Sequence, residues 1–232
     1  MVTSKLVVGI TDCEKYANYE RWLLAEPGVE TLRVGYETGG TEALHRCHAL
    51  LFTGGADVHP SLYGQGELAR WCDDDMDQRR DEFEWKAMEF AVKNSLSVLG
   101  ICRGLQLANV YFGGTLVPDL PMAGKFNHSK FREGHDRAHT ITIDASSYLH
   151  TLTGVATGVV NSAHHQSAGR IGDGLVTSAL SPDGVVEALE RKQVGASPFL
   201  MLVQWHPERM EDAASPLVKN IKQSFLASIP KK

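Results

Sequence analysis

Cys102 stands between Gly100 and Gly104 in the segment "LGICRGLQLANVYFGG". An apolar run precedes it and a helical pattern follows, an order typical of a tight turn that displays a nucleophile between a strand and a helix. Side chains at either glycine would collide with the neighbouring strand and helix. A helix N-terminus and a nearby imidazole would favour the thiolate, and the backbone N–H of Arg103 could donate to an oxyanion. Cysteine is also a common buried hydrophobe, so the motif alone leaves both interpretations open.

A partner for this cysteine is found in "QWHPE", where His206 and Glu208 lie two residues apart. Pro207 disfavours helix, so we expect an extended segment in which both side chains point the same way. A carboxylate could then hold one ring nitrogen of the imidazole while the other serves the thiol. The competing interpretation is a surface turn after a strand, but together the two motifs favour a catalytic cysteine.

The elements that must position these residues alternate between strands and helices. Strands are predicted for residues 5–10, 31–34, 49–52 and 96–101, and helices for 14–25, 41–47, the segment around Phe83 and 105–112. Phe83, Ala87, Phe90 and Ala91 recur at helical spacing, which places them on one face. The run "LSVLGI" is apolar throughout, as expected of a parallel strand buried on both sides.

The second half of the chain is richer in strands. They are predicted for residues 138–144, 158–166, 185–191 and 199–208, followed by an amphipathic helix over about 215–228. Residues 126–139 resemble a long functional loop. No repeat or linker divides the sequence, so we expect residues 1–232 to form one α/β domain, since domains of this size commonly share one core.

Composition excludes several classes of protein. Hydrophobic residues make up 43% of the 232 residues, charged residues 22%, and the formal net charge is −5. No basic block exists beyond Lys231 and Lys232, so we expect neither nucleic-acid nor membrane binding. The N-terminal segment turns polar after Ile10, too early for a secretory signal, which favours the cytoplasm. The four cysteines form no CxxC pair, so free thiols are expected.

Five segments, in order, resemble the class I glutamine amidotransferase-like superfamily and, within it, the γ-glutamyl-γ-aminobutyrate hydrolase family of cysteine peptidases (peptidase C26). They span most of the chain, and five ordered blocks are far more specific than any one of them. The matching segments are "TGGADVHPSLYG" (53–64), "RRDEFEW" (79–85), "GICRGLQLANVYFGGTL" (100–116), "VNSAHHQS" (160–167) and "VQWHPE" (203–208).

The resemblance implies a fold and a set of site residues. The fold would be a three-layer, flavodoxin-like sandwich with a mostly parallel sheet, and the catalytic triad would be Cys102, His206 and Glu208. The oxyanion hole would use the backbone N–H groups of Gly55 and Arg103. Residues binding the glutamyl α-amino and α-carboxyl groups would be Gln106 and five residues of one segment: Asn161, Ser162, His164, His165 and Gln166.

Two functions share this machinery. A hydrolase would cleave a small γ-glutamyl amide through a γ-glutamyl thioester, whereas a glutaminase would deliver ammonia to a separate synthase partner. Arginine after the nucleophile, here Arg103, is often found in the hydrolase family and favours the first. Val117 and Pro118 depart from the polar pair of several relatives, so the amine half of the substrate stays open. Exposed apolar edges could support a homodimer. A non-catalytic interaction protein is disfavoured because all three triad residues are present.

The spacing of the remaining histidines and acidic residues predicts neither a metal site nor another cofactor. Adjacent strand residues face opposite sides, so we expect only one of His164 and His165 to face the pocket. His128, His135 and His139 are separated by seven and four residues without a supporting helix or cysteines, which favours a lid or solvated loop over a metal site. Asp73, Asp74, Asp75 and Asp77 lack the pattern of a calcium loop and suit a helix N-terminus instead.

Overall fold

The computed structural model of the chain describes residues 5–193 and 198–230, so Lys231 and Lys232 lie outside it. Sixteen strands and α-helices in the described residues follow one another in the order β1 (Leu6–Thr11), α1 (Tyr16–Leu24), β2 (Val29–Val34), β3 (Ala49–Phe52), α2 (Gln78–Lys93), β4 (Ser97–Ile101), α3 (Arg103–Tyr111), β5 (Leu116–Val117), β6 (Arg137–Ile143), α4 (Tyr148–Thr153), β7 (Thr157–Ser162), β8 (Ser167–Ala168), β9 (Leu175–Leu180), β10 (Val186–Arg191), β11 (Leu200–Val203) and α5 (Pro216–Ala227).

Nine of the strands form one sheet in the order β2-β1-β3-β4-β11-β10-β9-β6-β7. From β2 to β11 all neighbours run parallel, and from β11 to β7 all pairings are antiparallel. Strands β5 and β8 pair separately. Strands β1 to β4 come from the β-α-β half of the sequence, and β11 from the second half adds a fifth parallel strand beside β4.

Helices cover both faces of the sheet, which gives three layers. One core contains Tyr19 and Leu23 of α1 together with Ile221 and Phe225 of α5. The other contains buried residues of α2 and α3 packed against the opposite side of β3 and β4. Residues on both faces of β4 are buried, as predicted for a central parallel strand. The expected three-layer α/β sandwich is confirmed.

The structure differs from the predicted elements in several places, and the strand predicted over 158–166 ends at Ser162. Residues 40–46 form a 3-10 helix rather than an α-helix. The predicted strand over 199–208 ends at Val203, and Pro207–Arg209 form a 3-10 turn, because proline is well tolerated in the first turn of a helix. Helix α4 and strands β5, β8 and β9 were not predicted, since their short patterns resemble loops.

The sheet places the chemistry of the sequence at one edge. Strands β3, β4 and β11 are adjacent and parallel. Their carboxyl ends therefore meet, and the segments after them carry Gly54, Cys102 and His206 respectively. This crevice is where open α/β sheets commonly bind ligands. Among the described residues, none of the helices is both long enough and apolar enough to cross a bilayer.

Candidate functional site

Cys102 occupies a strained turn between β4 and α3. Its φ of 53° and ψ of −105° lie in a region that non-glycine residues rarely adopt. A Cβ at Gly104 would lie 2.4 Å from the carbonyl oxygen of Phe52, and one at Gly100 would lie 2.9 Å from Gly104. The collisions predicted for side chains at these two glycines are therefore confirmed, and the close packing holds the turn in place.

His206 lies next to both Glu208 and Cys102. Its Nδ1 is 2.9 Å from Oε1 of Glu208, so the other ring nitrogen, Nε2, is left for the thiol. The two residues do not share an extended segment as predicted, because Glu208 lies inside the 3-10 turn. The turn brings the carboxylate back to the imidazole, so the predicted contact is present although its backbone is different.

The electrostatics of this pair favour a charged imidazole. His206 and Glu208 are both buried. Burial by itself would lower the pKa of His206, but the charges of Glu208 and Cys102, with hydrogen bonds to both, raise the pKa of His206 to about 9. An imidazolium beside a sulfur can both stabilise a thiolate and later donate a proton.

The loop after β3 closes over the cysteine and is held by Arg80. The Arg80 guanidinium donates to Oγ1 of Thr53 and to the carbonyl oxygen of Gly54, both at 3.0 Å. Gly55 has a φ of 143°, and a Cβ there would lie 2.2 Å from Nη1 of Arg80. Only glycine fits this conformation and this close approach. The loop and its backbone N–H groups are thereby fixed beside Cys102.

The side chain of Arg103 does not serve the cavity but ties α3 to α2. It is buried and forms ion pairs with Asp81 and Glu84, while Glu84 also accepts from Arg80 at 2.8 Å. Burial lowers the pKa of Arg103, and the two arginines lower the pKa of Glu84 in spite of its burial. The backbone N–H of Arg103 begins α3, so it has no partner within the helix.

Two further side chains lie at the catalytic cysteine candidate, and the sequence motifs did not predict them. Gln204 donates to Sγ of Cys102 at 3.4 Å. The Tyr19 hydroxyl accepts from the backbone N–H of Gly54 at 2.9 Å and lies 3.5 Å from Nδ1 of His206. Gln204 lies in the quoted block "VQWHPE" and was available as a signal, but no motif marks Tyr19 on α1.

A cavity of about 220 Å³ opens directly on Cys102 and His206. Gly54, Gly55 and Tyr19 contribute to its wall. Charged side chains of both signs also line it, namely Glu14, Lys15, Asp73, Asp75, Lys130 and Arg209. A ligand with both an anionic and a cationic group would find complementary charges there.

The six residues expected to bind substrate lie elsewhere. Of the described residues, this cavity takes only Ala163 from the 161–166 segment, and Gln106 is also outside its wall. Gln106 donates to the carbonyl oxygen of Gln166 at 3.2 Å and to Oε1 of Gln204 at 3.4 Å. Gln166 donates to the carbonyl oxygen of Pro118 at 3.1 Å. Both amides are committed to the protein, and their contact with substrate stays a prediction.

Asn161 and Ser162 hold backbone segments. Asn161 accepts from the backbone N–H of His206 at 2.9 Å and donates to its carbonyl oxygen at 3.1 Å. Asn161 thus positions the histidine rather than reaching into the cavity. Ser162 is fully buried and donates to the carbonyl oxygen of His128 at 2.7 Å.

His164 and His165 follow β7, outside the strand predicted to contain them, and their side chains have different partners. His164 is buried with its Nε2 3.7 Å from Oε1 of Glu187. His165 lies 2.9 Å from Asp57 and 3.3 Å from Asp119, and the hydrogen bond to Asp57 raises the pKa of His165 to about 9. Neither ring lines the cavity at Cys102.

The predictions for the acidic stretch and for the loop histidines have different outcomes. Asp77 caps α2 by accepting from the backbone N–H of Arg79 at 2.9 Å, so the predicted role at a helix N-terminus is confirmed for this residue. His128 and His139, expected to be a lid or solvated loop, instead meet His164 and Glu187 in the protein interior, while His135 stays exposed.

Comparison with known proteins supports the resemblance. The model of the peptidase C26 family matches residues 35–208. A protein of Mycobacterium tuberculosis provisionally named a glutamine amidotransferase is 39% identical over 171 residues, which cover 73% of this chain and 53% of that protein. A glutamine amidotransferase-like protein of Lactococcus lactis is 39% identical over 68% of this chain and 65% of its own length. The chain therefore matches less than two thirds of either relative.

An enzyme with an assigned activity is also similar. The γ-glutamyl-γ-aminobutyrate hydrolase of Escherichia coli strain K12 is 31% identical over 160 residues, covering 66% of this chain and 60% of that enzyme.

Solved structures agree on the fold. The glutaminase domain of Trypanosoma brucei CTPS, with bound acivicin, has a TM-score of 0.66 at 16% identity, covering 98% of this chain and 97% of that one. A glutamine amidotransferase of Methylobacillus flagellatus has a TM-score of 0.66 at 14% identity, covering 99% and 96%. These likenesses show the shared fold, and the family match over residues 35–208 shows that the chain belongs to the peptidase C26 family.

Proposed function

We propose that the protein is a cysteine-dependent hydrolase that cleaves the amide bond of a small γ-glutamyl compound and releases glutamate and an amine. The observation that carries this proposal is the position of Cys102 on its strained turn, beside a His206 that is buried against Glu208. Cys102 and His206 line one cavity, and Glu208 contacts the imidazole at its other nitrogen, an arrangement that supports the roles of nucleophile, base and orienting carboxylate.

The first step forms a γ-glutamyl thioester. The Cys102 thiolate attacks the γ-carbonyl carbon, and the carbonyl electrons move to the oxygen as the S–C bond forms. The backbone N–H groups of Gly55 and Arg103 are the donors for this oxyanion, each contributing about 3–4 kcal/mol of barrier reduction by analogy with single-donor removals. Collapse of the intermediate breaks the C–N bond, and His206 gives its Nε2 proton to the departing amine.

The second step returns the enzyme to its starting state. His206, now neutral, takes a proton from water as the oxygen attacks the thioester carbon. The S–C bond breaks, glutamate leaves, and the thiolate again faces an imidazolium. Glu208 accepts from Nδ1–H in both steps, so it keeps the ring orientation and the tautomer constant.

The charged wall of the cavity supports an amino acid head group as substrate. A γ-glutamyl group carries an α-ammonium and an α-carboxylate, and the cavity offers acids such as Asp73 and cations such as Lys130. The similarity to the γ-glutamyl-γ-aminobutyrate hydrolase favours a γ-glutamyl amide over other amides. We assign the head group to this wall rather than to the six residues first expected.

The proposal is tested by measuring glutamate release from a panel of γ-glutamyl amides, including glutamine and γ-glutamyl-γ-aminobutyrate. The purified protein is compared with Cys102→Ala, for which we expect a loss of more than about 1,000-fold and an unchanged circular dichroism spectrum. Cys47→Ala is a matched control, because Cys47 is also a buried free thiol but does not line the cavity at Cys102.

Turnover of extended amides above that of glutamine would support the proposal and begin to define the leaving group. Turnover of glutamine alone would instead favour a glutaminase that supplies ammonia to a synthase partner. Full activity in Cys102→Ala would refute a cysteine nucleophile.

A further inference from the structure

Three histidines and one glutamate meet in the interior, away from the thiol. Glu187 lies on β10, His139 on β6, His164 follows β7, and His128 belongs to the segment before β6. One nitrogen from each histidine and one oxygen of Glu187 lie within 4.8 Å of one another. His128, His164 and Glu187 are buried, and His139 has 18% of its side chain exposed.

The outer nitrogen of each ring already has an acceptor. Nε2 of His128 lies 3.3 Å from both oxygens of Asp183. Nδ1 of His139 is 3.1 Å from the carbonyl oxygen of Thr140, and Nδ1 of His164 is 2.9 Å from that of Gln166. An acceptor at the outer nitrogen fixes the proton there, so a neutral ring presents its lone pair inward. Carboxylates and carbonyl groups hold metal-binding histidines in this way.

The inward atoms have no such partners. Nδ1 of His128 and Nε2 of His139 and His164 lie 3.4, 3.3 and 3.7 Å from Oε1 of Glu187. None of these contacts has the geometry of a hydrogen bond, and both Glu187 oxygens and all three nitrogens are buried without a partner among the residues that the structure describes. Five unsatisfied buried atoms in one cluster are costly unless something binds them.

We propose that these four residues, His128, His139, His164 and Glu187, form a zinc site. Three imidazoles and one carboxylate are a ligand set that suits Zn²⁺, and four protein ligands would complete a tetrahedron. Ligand atoms around tetrahedral zinc lie about 3.4 Å apart for bonds of about 2.1 Å. The three nitrogens already lie 3.3–3.7 Å from Oε1 of Glu187, and binding would bring all four atoms, now within 4.8 Å of one another, to this spacing by side-chain adjustment.

A metal here would fasten the segment before β6 to the sheet. The carbonyl oxygen of His128 accepts from Ser162 and, at 3.1 Å, from the backbone N–H of His164. These two hydrogen bonds already hold the segment, and the metal would add a further attachment. Lys130, two residues further, lines the cavity at Cys102. The zinc would therefore have a structural role and would stabilise one wall of that cavity. A separate cavity of about 330 Å³, lined by His128 and His139, gives the metal a route to the site.

The site is tested by metal analysis of the full chain. Protein stripped with a chelator is incubated with Zn²⁺, desalted and assayed for bound metal, and its affinity is measured by competition with a chromophoric chelator. We expect one zinc per chain and a rise in Tm of about 5–10 °C at a free zinc concentration of about 100 times Kd. Co²⁺ in the same site should give the visible absorption of tetrahedral nitrogen and oxygen ligation.

Variants separate this site from other groups that could hold zinc. His139→Ala removes the most exposed ligand and should weaken zinc affinity by more than about tenfold, since even changes around the ligands cost that much. Glu187→Gln should do the same. His135→Ala, an exposed histidine of the same segment, should bind as the unaltered protein does. Cys102→Ala should also keep its zinc, which excludes the thiol as a ligand.

Asp73→Ala tests the second group of side chains, Asp57, Asp73 and His165, and should likewise leave binding unchanged. The proposal fails if the folded protein retains less than about one tenth of an equivalent of zinc, or if His139→Ala binds zinc as tightly as His135→Ala. Because these readouts do not involve turnover, they are independent of the proposed reaction. Should Glu187→Gln not fold, His139→Ala and the Tm shift still decide the question.

Discussion

At the scale of single residues, the chemistry of the site depends on the charge of His206. It is buried, yet Glu208 and Cys102 hold it in the charged form, so the proton needed by a leaving amine is present at neutral pH. Asn161 fixes its backbone through two hydrogen bonds, which leaves the ring little freedom to turn away from the thiol.

The charge of His206 can be measured directly. Nuclear magnetic resonance titration should give a midpoint near pH 9 in the unaltered protein. The midpoint should fall in Glu208→Gln, because the largest stabilising charge is removed, and also in Cys102→Ala. Because the pKa is raised, the charged form persists below about pH 9 and is lost above it. We therefore expect turnover to fall as the pH rises through about 9. An unshifted midpoint in both variants would contradict the assignment of this pKa to a His206 held by Glu208 and Cys102.

Glu208 should matter more to turnover than to folding. Glu208→Gln keeps the shape of the side chain but loses its charge, so we expect kcat to fall roughly 10²–10⁴-fold, the range of acid–base contributions. Glu211→Gln, an exposed position nearby, is the control and should retain full activity. Equal activity in both variants would show that the carboxylate does not orient the imidazole.

At the scale of elements, the turn between β4 and α3 depends on close packing against β3. Gly104 lies in the first turn of α3 and packs against the backbone of Phe52. Phe52 cannot move without disturbing β3, a central strand of the sheet. The strain at Cys102 is thus maintained by neighbours on two elements rather than by the turn itself.

The packing at Gly104 predicts the outcome of a paired substitution. Gly104→Ala should lower the free energy of unfolding by about 1–3 kcal/mol, the usual cost of overpacking, as measured by urea denaturation. At Gly66 the nearest atom to a new Cβ would be 3.9 Å away, so Gly66→Ala should be neutral or slightly stabilising. A Gly104→Ala protein as stable as Gly66→Ala would contradict the close contact.

At the scale of the whole molecule, buried charges connect elements that lie apart in the chain. Arg103 on α3 meets Asp81 and Glu84 on α2, and Arg80 extends the network to Gly54 beside the thiol. Such a network is strongly destabilising to break, since removing one member leaves the others buried and uncompensated.

Removal of the Arg103 charge tests that argument. Arg103→Leu should lower the free energy of unfolding by about 3–5 kcal/mol in denaturant titrations, because Asp81 and Glu84 would lose their partner. Lys5→Ala breaks an exposed ion pair with Glu30 and should have far less effect. Similar losses in the two variants would show that the buried network contributes little.

The sequence predicted the central features of the fold and of the candidate site. Strand β4, the turn at Cys102 and helix α3 were predictable because they are local, and periodicity and glycine spacing report local geometry. The pairing of Cys102 with His206 followed from ordered motifs, although the residues are far apart in the chain. The homodimer, the single domain over 1–232 and the cytoplasmic location stay predictions.

Only the tertiary structure decided which distant side chains meet. Nothing local indicates that His128, His139 and His164 converge on Glu187, because the convergence arises from an antiparallel extension of the sheet that brings β6, β7 and β10 together. The commitment of Gln106 and Asn161 to hydrogen bonds within the protein is likewise invisible in the sequence. Composition and spacing determine which elements form and which chemistry is available. The partners of each buried polar group depend on strand order and packing, which no short segment contains.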